Sequence, residues 1–169
     1  LRDVTVAQIA RRAGMSPALA HHYFGSKEAI FAAAMRHILS LYGAEVRGAL
    51  AMAKTPRERI EAIVRASFSP RQFRPETVSA WLNFYVQAQT SAPARRLLHI
   101  YQRRLRANLH DAFRRIAPGE ARTLTRGTAA MIDGLYLRQA LGEGATTPDT
   151  AIAVLLHYID TSLRAEEAE

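Results

Sequence analysis

Apolar residues recur along this chain every three or four positions and nowhere in sustained alternation, a pattern of amphipathic helices rather than strands. Val6, Ile9, Ala10 and Ala13 share one face of a first short run, which Thr5 can cap and Gly14 stops. Ser16 caps a second run that opens at Pro17, where a missing N–H does no harm. Ser26 caps a third, striped by Ile30, Phe31, Met35, Ile38, Leu39 and Tyr42 and reaching about Ala53. Further helices are predicted over 56–68, 76–89, 92–116, 120–141 and 148–163, with "SPRQFRP" and "GEGATTP" as the clearest loops. Eight helices with short connections and no strand predict an all-α protein.

The first two helices need outside support, because isolated helices below ~12 to 15 residues are marginal in water. Joined by the tight turn "AGMS", they have the form of a helix-turn-helix. Gly14 turns the corner, Ile9, Ala10 and Ala13 bury the first helix, and the second offers its start to a DNA major groove.

The residues Thr5, Ile9, Ala10, Ala13, Gly14, Met15 and Ser16, then Tyr23, Phe24, Ser26, Lys27 and Glu28, closely resemble the DNA-binding signature of TetR-type transcriptional regulators. Met15 stands where valine is usual, an apolar change of similar volume. The stretches "AWLNFYVQAQ", "RRLRANLHDAFRR" and "AAMIDGLYLRQAL" are similar to the branch of that family that represses choline-to-glycine-betaine synthesis. The resemblance implies a dimeric repressor that holds a palindromic operator in double-stranded DNA and leaves it when a small-molecule effector binds. Choline or a related quaternary ammonium is the effector implied. Residues 1–36 become a DNA-binding head and 37–169 an effector-binding and dimerisation unit. Family members carry a further helix before the "T…IA" run, whereas only Leu1–Val4 precede it in this sequence, so the head is expected to be N-terminally incomplete.

Roles within the head follow from chemistry. Ser16, at a helix start, can hold a phosphate with its hydroxyl and the free N–H groups beside it. Ala18 and Leu19, small or apolar, suit contact with thymine methyls, Pro17 beside them belongs to the DNA-facing set, and His21 and His22 can reach base edges or phosphates. Tyr23 and Lys27 anchor the backbone by resemblance, and Thr5 joins the DNA-facing set. Phe24 is expected to plug the core behind the second helix. Two readings stay open: Leu19 as core, and the histidine pair as ordinary surface.

"AWLNFYVQA" places Trp81, Phe84 and Tyr85 on neighbouring turns. With Tyr101, Asp133 and Tyr136 they can form a box with aromatic walls and one carboxylate. Such a box suits a quaternary ammonium ion, which is attracted by ring faces at roughly 0.5 to 2 kcal/mol each. The same rings would equally serve as core, and Asp133 could instead cap or pair with an arginine such as Arg138. Towards the chain's end, Leu124, Met131, Ile132 and Leu135 pattern one helix and Ile152, Leu155, Leu156, Ile159 and Leu163 the next. Gly127 and Gly134, seven apart, leave room for close approach. This pair either closes its own core or meets its copy across a twofold axis, as the family resemblance implies. The dimerisation set is then Leu124, Gly127, Met131, Leu135, Ile152, Leu155, Leu156 and Ile159.

Composition narrows the alternatives. The net charge is +8, yet the excess lies mostly between residues 37 and 117, and nearly all the bases are arginine, so charge alone identifies no nucleic-acid surface. There is no cysteine, hence neither a disulfide framework nor a thiolate metal site. The six histidines show no metal-ligand spacing, and no nucleophile motif or phosphate loop is present, so no metal, cofactor or enzymatic activity is expected. Asp133 and Asp160 would have to be assembled from a distance to act as catalysts. No apolar run approaches the ~20 residues of a spanning helix and no signal pattern opens the chain, which predicts a cytoplasmic protein without a membrane partner. Competing functions are a sensor of a lipophilic cation or aromatic drug, and a helical ligand-binding or interaction protein without DNA.

Overall fold

A computed structural model describes residues 5–142 and 147–166. Eight helices follow one another among the described residues: α1 (Val6–Arg12), α2 (Pro17–Phe24), α3 (Lys27–Met52), α4 (Pro56–Ser67), α5 (Pro75–Thr90), α6 (Ala92–Phe113), α7 (Ala121–Leu141) and α8 (Pro148–Glu166). Among the described residues there is no strand. The ends of the helices follow from their capping residues. Thr5 and Thr55 each form a capping box, with Gln8 and Glu58 returning the hydrogen bond. Ser16, Ser26 and Ser91 each accept a backbone N–H three residues on, and Pro17, Pro56 and Pro75 sit at first helical positions. Thr147 and Thr150 exchange backbone-to-hydroxyl bonds at the start of α8. The part of "GEGATTP" from 143 to 146 lies outside the described residues.

The core is built around α4, α6 and α7. Ile60, Ile63 and Val64 of α4, Leu109 and Phe113 of α6 and Ile132 of α7 are fully buried, with Leu155 and Ile159 of α8 closing one side. Helix α5 packs on α6 and α7, and α3 lies mainly along α4. At 26 residues, about 39 Å, α3 runs unbroken from the short helices into this bundle, through the expected division at Arg36. Its lower half is anchored by Tyr42, whose hydroxyl meets the Ser67 Oγ at 3.0 Å. The Tyr136 hydroxyl of α7 donates to the Ser67 carbonyl, one of the carbonyls that α4 leaves without an intrahelical partner at its end. Between helices, Arg57 of α4 holds Asp160 of α8 at 2.8 Å.

Four expectations need correction. The loop "SPRQFRP" is not merely a connection: Gln72 and Phe73 are buried, and Phe73 meets Phe68 and Tyr136 edge-on at 5.4 and 5.5 Å. Ala13 is exposed, because α1 ends before it, leaving Ala10 as the buried residue of that helix. Leu124, Ile152, Leu155 and Ile159 are buried within the chain's own core and cannot meet a second copy. Gly127 serves that core too, since a Cβ there would lie 2.5 Å from the Tyr158 hydroxyl of α8. Leu155→Ala should therefore destabilise the fold by ~2 to 5 kcal/mol in denaturant titration, because the methyls lost are in the core and leave a cavity.

Candidate DNA-reading head and effector site

The head is shaped by two glycines. After α1, Met15 N–H bonds to the Ala10 carbonyl at 2.9 Å and Gly14 N–H to Arg11 at 3.1 Å, the pair of bonds that closes a helix through a left-handed residue. Gly14 supplies that conformation at φ 69°. At the far end of α2, Gly25 has φ 72° and ψ −57°, and Ser26 N–H reaches back to the Phe24 carbonyl at 2.8 Å. This is a three-residue γ-turn of a kind that a side chain strains. A helix of eight residues is thus gripped at both ends by geometry.

Helix α2 buries only Ala20, against α1. Ser16, Pro17, Ala18, Leu19, His21, His22 and Tyr23 are all exposed, with Leu19 at 43% and Tyr23 at 71%. Leu19 is therefore not core. Ser16 Oγ accepts from Leu19 N–H at 3.1 Å, which leaves the hydroxyl proton free for a phosphate oxygen. His21 donates from Nδ1 to the Gly25 carbonyl at 3.0 Å, so it also stiffens the corner. The His22 ring stands edge-on to Tyr23 at 5.5 Å. Thr5 is committed to its capping box, giving and receiving bonds with Gln8. Lys27 opens α3 just beyond the turn. Phe24, expected as a plug, is 37% exposed, because α2 turns most of its surface outward.

In the bundle the sequence-predicted aromatic residues do come together. Trp81 lies 4.7 Å from Tyr101, 5.9 Å from Tyr85, 6.0 Å from Phe84 and 6.3 Å from Tyr136, centroid to centroid. Phe84 is fully buried. Tyr42, missed at the level of sequence because it belongs to the stripe of α3, joins them at 5.6 Å from Tyr101. Asp133 enters the group through Tyr85, whose hydroxyl donates to Oδ1 at 2.8 Å. Neither Arg138 nor any other base forms an ion pair with Asp133 among the described residues. Burial raises the Asp133 carboxyl above its ordinary value, and the Tyr85 hydrogen bond opposes that. Burial likewise pushes the Tyr42 hydroxyl up to about 12 and raises Tyr85, Tyr101 and Tyr136, so all four stay protonated donors at neutral pH. The Trp81 indole N–H is buried without an acceptor among the described residues. A cavity of about 200 Å³ opens beside Tyr101 and Asp133, with Leu105, Ala129 and the exposed Arg106 and Arg126 around it.

Among the described residues no three His, Asp or Glu side chains converge as metal ligands, and no helix is long and apolar enough to cross a membrane.

An outward-facing, doubly capped second helix carried on an all-helical bundle defines a helix-turn-helix regulator of transcription. Residues 1–34 match the bacterial regulatory proteins of the tetR family, and residues 56–164 match the C-terminal domain of BetI-type transcriptional repressors. The HTH-type transcriptional regulator BetI of Brucella anthropi is 51% identical over 166 residues, covering 98% of this chain and 86% of its own length. BetI of Rhizobium meliloti is 49% identical, with 96% and 80% covered. A regulator from Rhodococcus superposes with a TM-score of 0.85 at 23% identity, over 98% of this chain and 88% of that one. A regulator from Saccharomonospora viridis, solved in complex with choline, does so at 0.79 and 22%, over 94% and 86%. The chain belongs to the TetR family of transcriptional regulators, in its BetI-type branch. Its role is that of a DNA-binding repressor rather than an enzyme.

Gly25→Ala tests the head without touching its outer face. A side chain in this conformation costs at least ~1 to 2 kcal/mol, so operator affinity should drop while the thermal transition of the bundle stays in place.

Proposed function

We propose that the protein represses choline and glycine betaine genes as a homodimer on a palindromic operator, and that choline or a similarly small quaternary ammonium releases it. The observation that carries the effector half is Asp133: a half-buried carboxylate with a tyrosine hydroxyl and no basic partner, beside the Tyr101–Trp81 ring pair. Such a carboxylate has no ion-pair partner among the described residues, although Arg106 and Arg126 stand around the same cavity, and a cation whose methyl groups donate no ordinary hydrogen bond is attracted by rings and charge alone. The BetI relatives and the choline-bound regulator of S. viridis support the same reading. Trp81, Tyr85 and Tyr136 pack against one another, so the cation enters at the Tyr101–Asp133 cavity and Arg106 and Arg126 swing to solvent to admit it.

Residues 1–36 read DNA, with the exposed start of α2 from Ser16 to Tyr23 in the major groove and Tyr23 and Lys27 on the backbone. Residues 37–169 bind effector and dimerise. Leu137 and Leu141 of α7 and Val154 of α8 are exposed, beside the half-buried Met131, Leu135 and Leu156, and form the partner-facing strip. The two heads then stand about one duplex turn apart, ~34 to 36 Å, and α3 transmits any change in the bundle to that spacing. A coupling of about 1 to 3 kcal/mol gives a 5- to 150-fold loss of operator affinity.

Fluorescence anisotropy with a labelled operator tests the whole scheme. Saturating choline should weaken binding, and Asp133→Asn should lower choline affinity at least ~10-fold, about 1.4 kcal/mol, while leaving effector-free DNA binding intact. Operator affinity indifferent to choline, betaine aldehyde and related cations would refute the effector assignment. Choline affinity in calorimetry should also fall as pH is lowered from neutral. The Asp133 pKa is raised, so protonation sets in at a higher pH than for a free aspartate and removes the charge that holds the cation. The same sign means that the fold itself regains stability from this group as pH falls through its pKa. Val154→Arg should shift sedimentation equilibrium towards monomer and weaken operator binding with it, because a charge replaces an apolar contact between copies.

A further inference from the structure

A second cleft, about 580 Å³, lies between α3 and α6 and, unlike the Asp133 site, has no carboxylate in its lining. Its apolar surface comes from Leu39, Val46, Ile63, Leu97, Ile100 and Leu105, with the Tyr42 and Tyr101 rings behind. Around it stand Arg36 and Arg47 of α3 and Arg104 of α6, and no acidic residue. All three arginines are exposed and, among the described residues, none takes part in a salt bridge or side-chain hydrogen bond, a state they share with other surface arginines such as Arg106 and Arg126 but combine with a common apolar cleft. Arg47 folds back along its own helix: its Nη1 lies 3.3 Å from where a Cβ on Gly43 would be, which places the guanidinium at the edge of the cleft. Eleven residues separate Arg36 from Arg47, about 16 Å along the helix.

We propose that this cleft is a second ligand site, for an amphipathic carboxylate with an extended apolar body. The volume falls in the range of ~300 to 1,000 Å³ typical of pockets for molecules much larger than choline. Guanidinium groups bind carboxylates through paired hydrogen bonds, and three of them around an apolar floor repel a cation of the same shape. The inference does not depend on the choline reading, because the two sites share only Tyr101 and Leu105 and differ in charge.

Decanoate, kept below its micelle concentration, and decyltrimethylammonium, its cationic counterpart, decide the matter. Binding is followed by calorimetry and by the fluorescence of Trp81, the single tryptophan, which lies 4.7 Å from the Tyr101 ring that borders the cleft. Decanoate should bind saturably, one per protomer, at least ~10-fold tighter than the cation. The double variant Arg47→Glu, Arg104→Glu should abolish or invert that preference with helix content and choline affinity unchanged. Arg95→Glu, on α6 outside the cleft, should preserve it and so control for net charge. Absence of saturable decanoate binding, equal binding of the two head groups, or a preference that survives the double variant would each overturn the proposal. Choline titrations on the same samples report on the other site separately.

Discussion

Ser67 is the residue on which three helices meet. Its hydroxyl donates to the Ile63 carbonyl at 2.9 Å within α4 and meets the Tyr42 hydroxyl of α3, while its own carbonyl accepts from Tyr136 of α7. A buried hydroxyl or carbonyl without a partner costs about 1 to 3 kcal/mol, so these bonds hold more by the penalty of breaking them than by the energy of forming them. The consequence is geometric. The end of α4 cannot shift against α3 or α7 without orphaning a polar group in the core. Phe68 and Phe73 pack around the same Tyr136 ring at 5.7 and 5.5 Å, so even the loop after α4 is bound to this point.

That fixture gives α3 its mechanical character. One stretch of helix belongs to the core, pinned by Tyr42 and the buried Met35 and Val46. Its start carries the γ-turn at Gly25 and, through it, the exposed recognition helix. With no break in 26 residues, a small rotation near Tyr42 is carried outward rather than absorbed. Tyr42 also touches Tyr101, the ring beside the Asp133 cavity, so the proposed effector site and α3 are one contact apart. This is a physical path for coupling, requiring only that the cation fit one position of α3 better than the other.

Much of this was legible in the sequence because capping is a local code. Serine, threonine, proline and glycine announced almost every helix boundary, and the observed limits moved by only a few residues. The many-position head motif was also legible, and so were the facing pairs Trp81 with Tyr85 and Asp133 with Tyr136, because helical spacing puts each pair on one side of its helix. What stayed hidden was tertiary. Nothing local distinguishes Leu155, buried in its own chain, from Val154, exposed beside it, since either suits an apolar helix. Phe73 sat among prolines and arginines, so its burial depended on Phe68 and Tyr136 arriving from elsewhere. The cleft arginines were invisible for a related reason. A chain rich in arginine gives no hint which ones will find carboxylates, and Arg36, Arg47 and Arg104 differ from the rest only in what surrounds them.

The two proposed sites share a border, so ligands in them would not be energetically independent. Tyr101 borders both the cleft and the Asp133 cavity, and its ring is held between Tyr42 and Trp81 at 5.6 and 4.7 Å. Interiors packed at crystal-like density do not deform smoothly, so a ligand that displaces this ring from one side changes the space on the other. Linkage makes the effect reciprocal: whatever factor a carboxylate in the cleft imposes on choline affinity, choline imposes on the carboxylate. Opposite charges across one ring favour joint occupancy, whereas crowding of the ring favours exclusion. The ring lies between two cavities, so the sign of the coupling follows from how far each ligand displaces it.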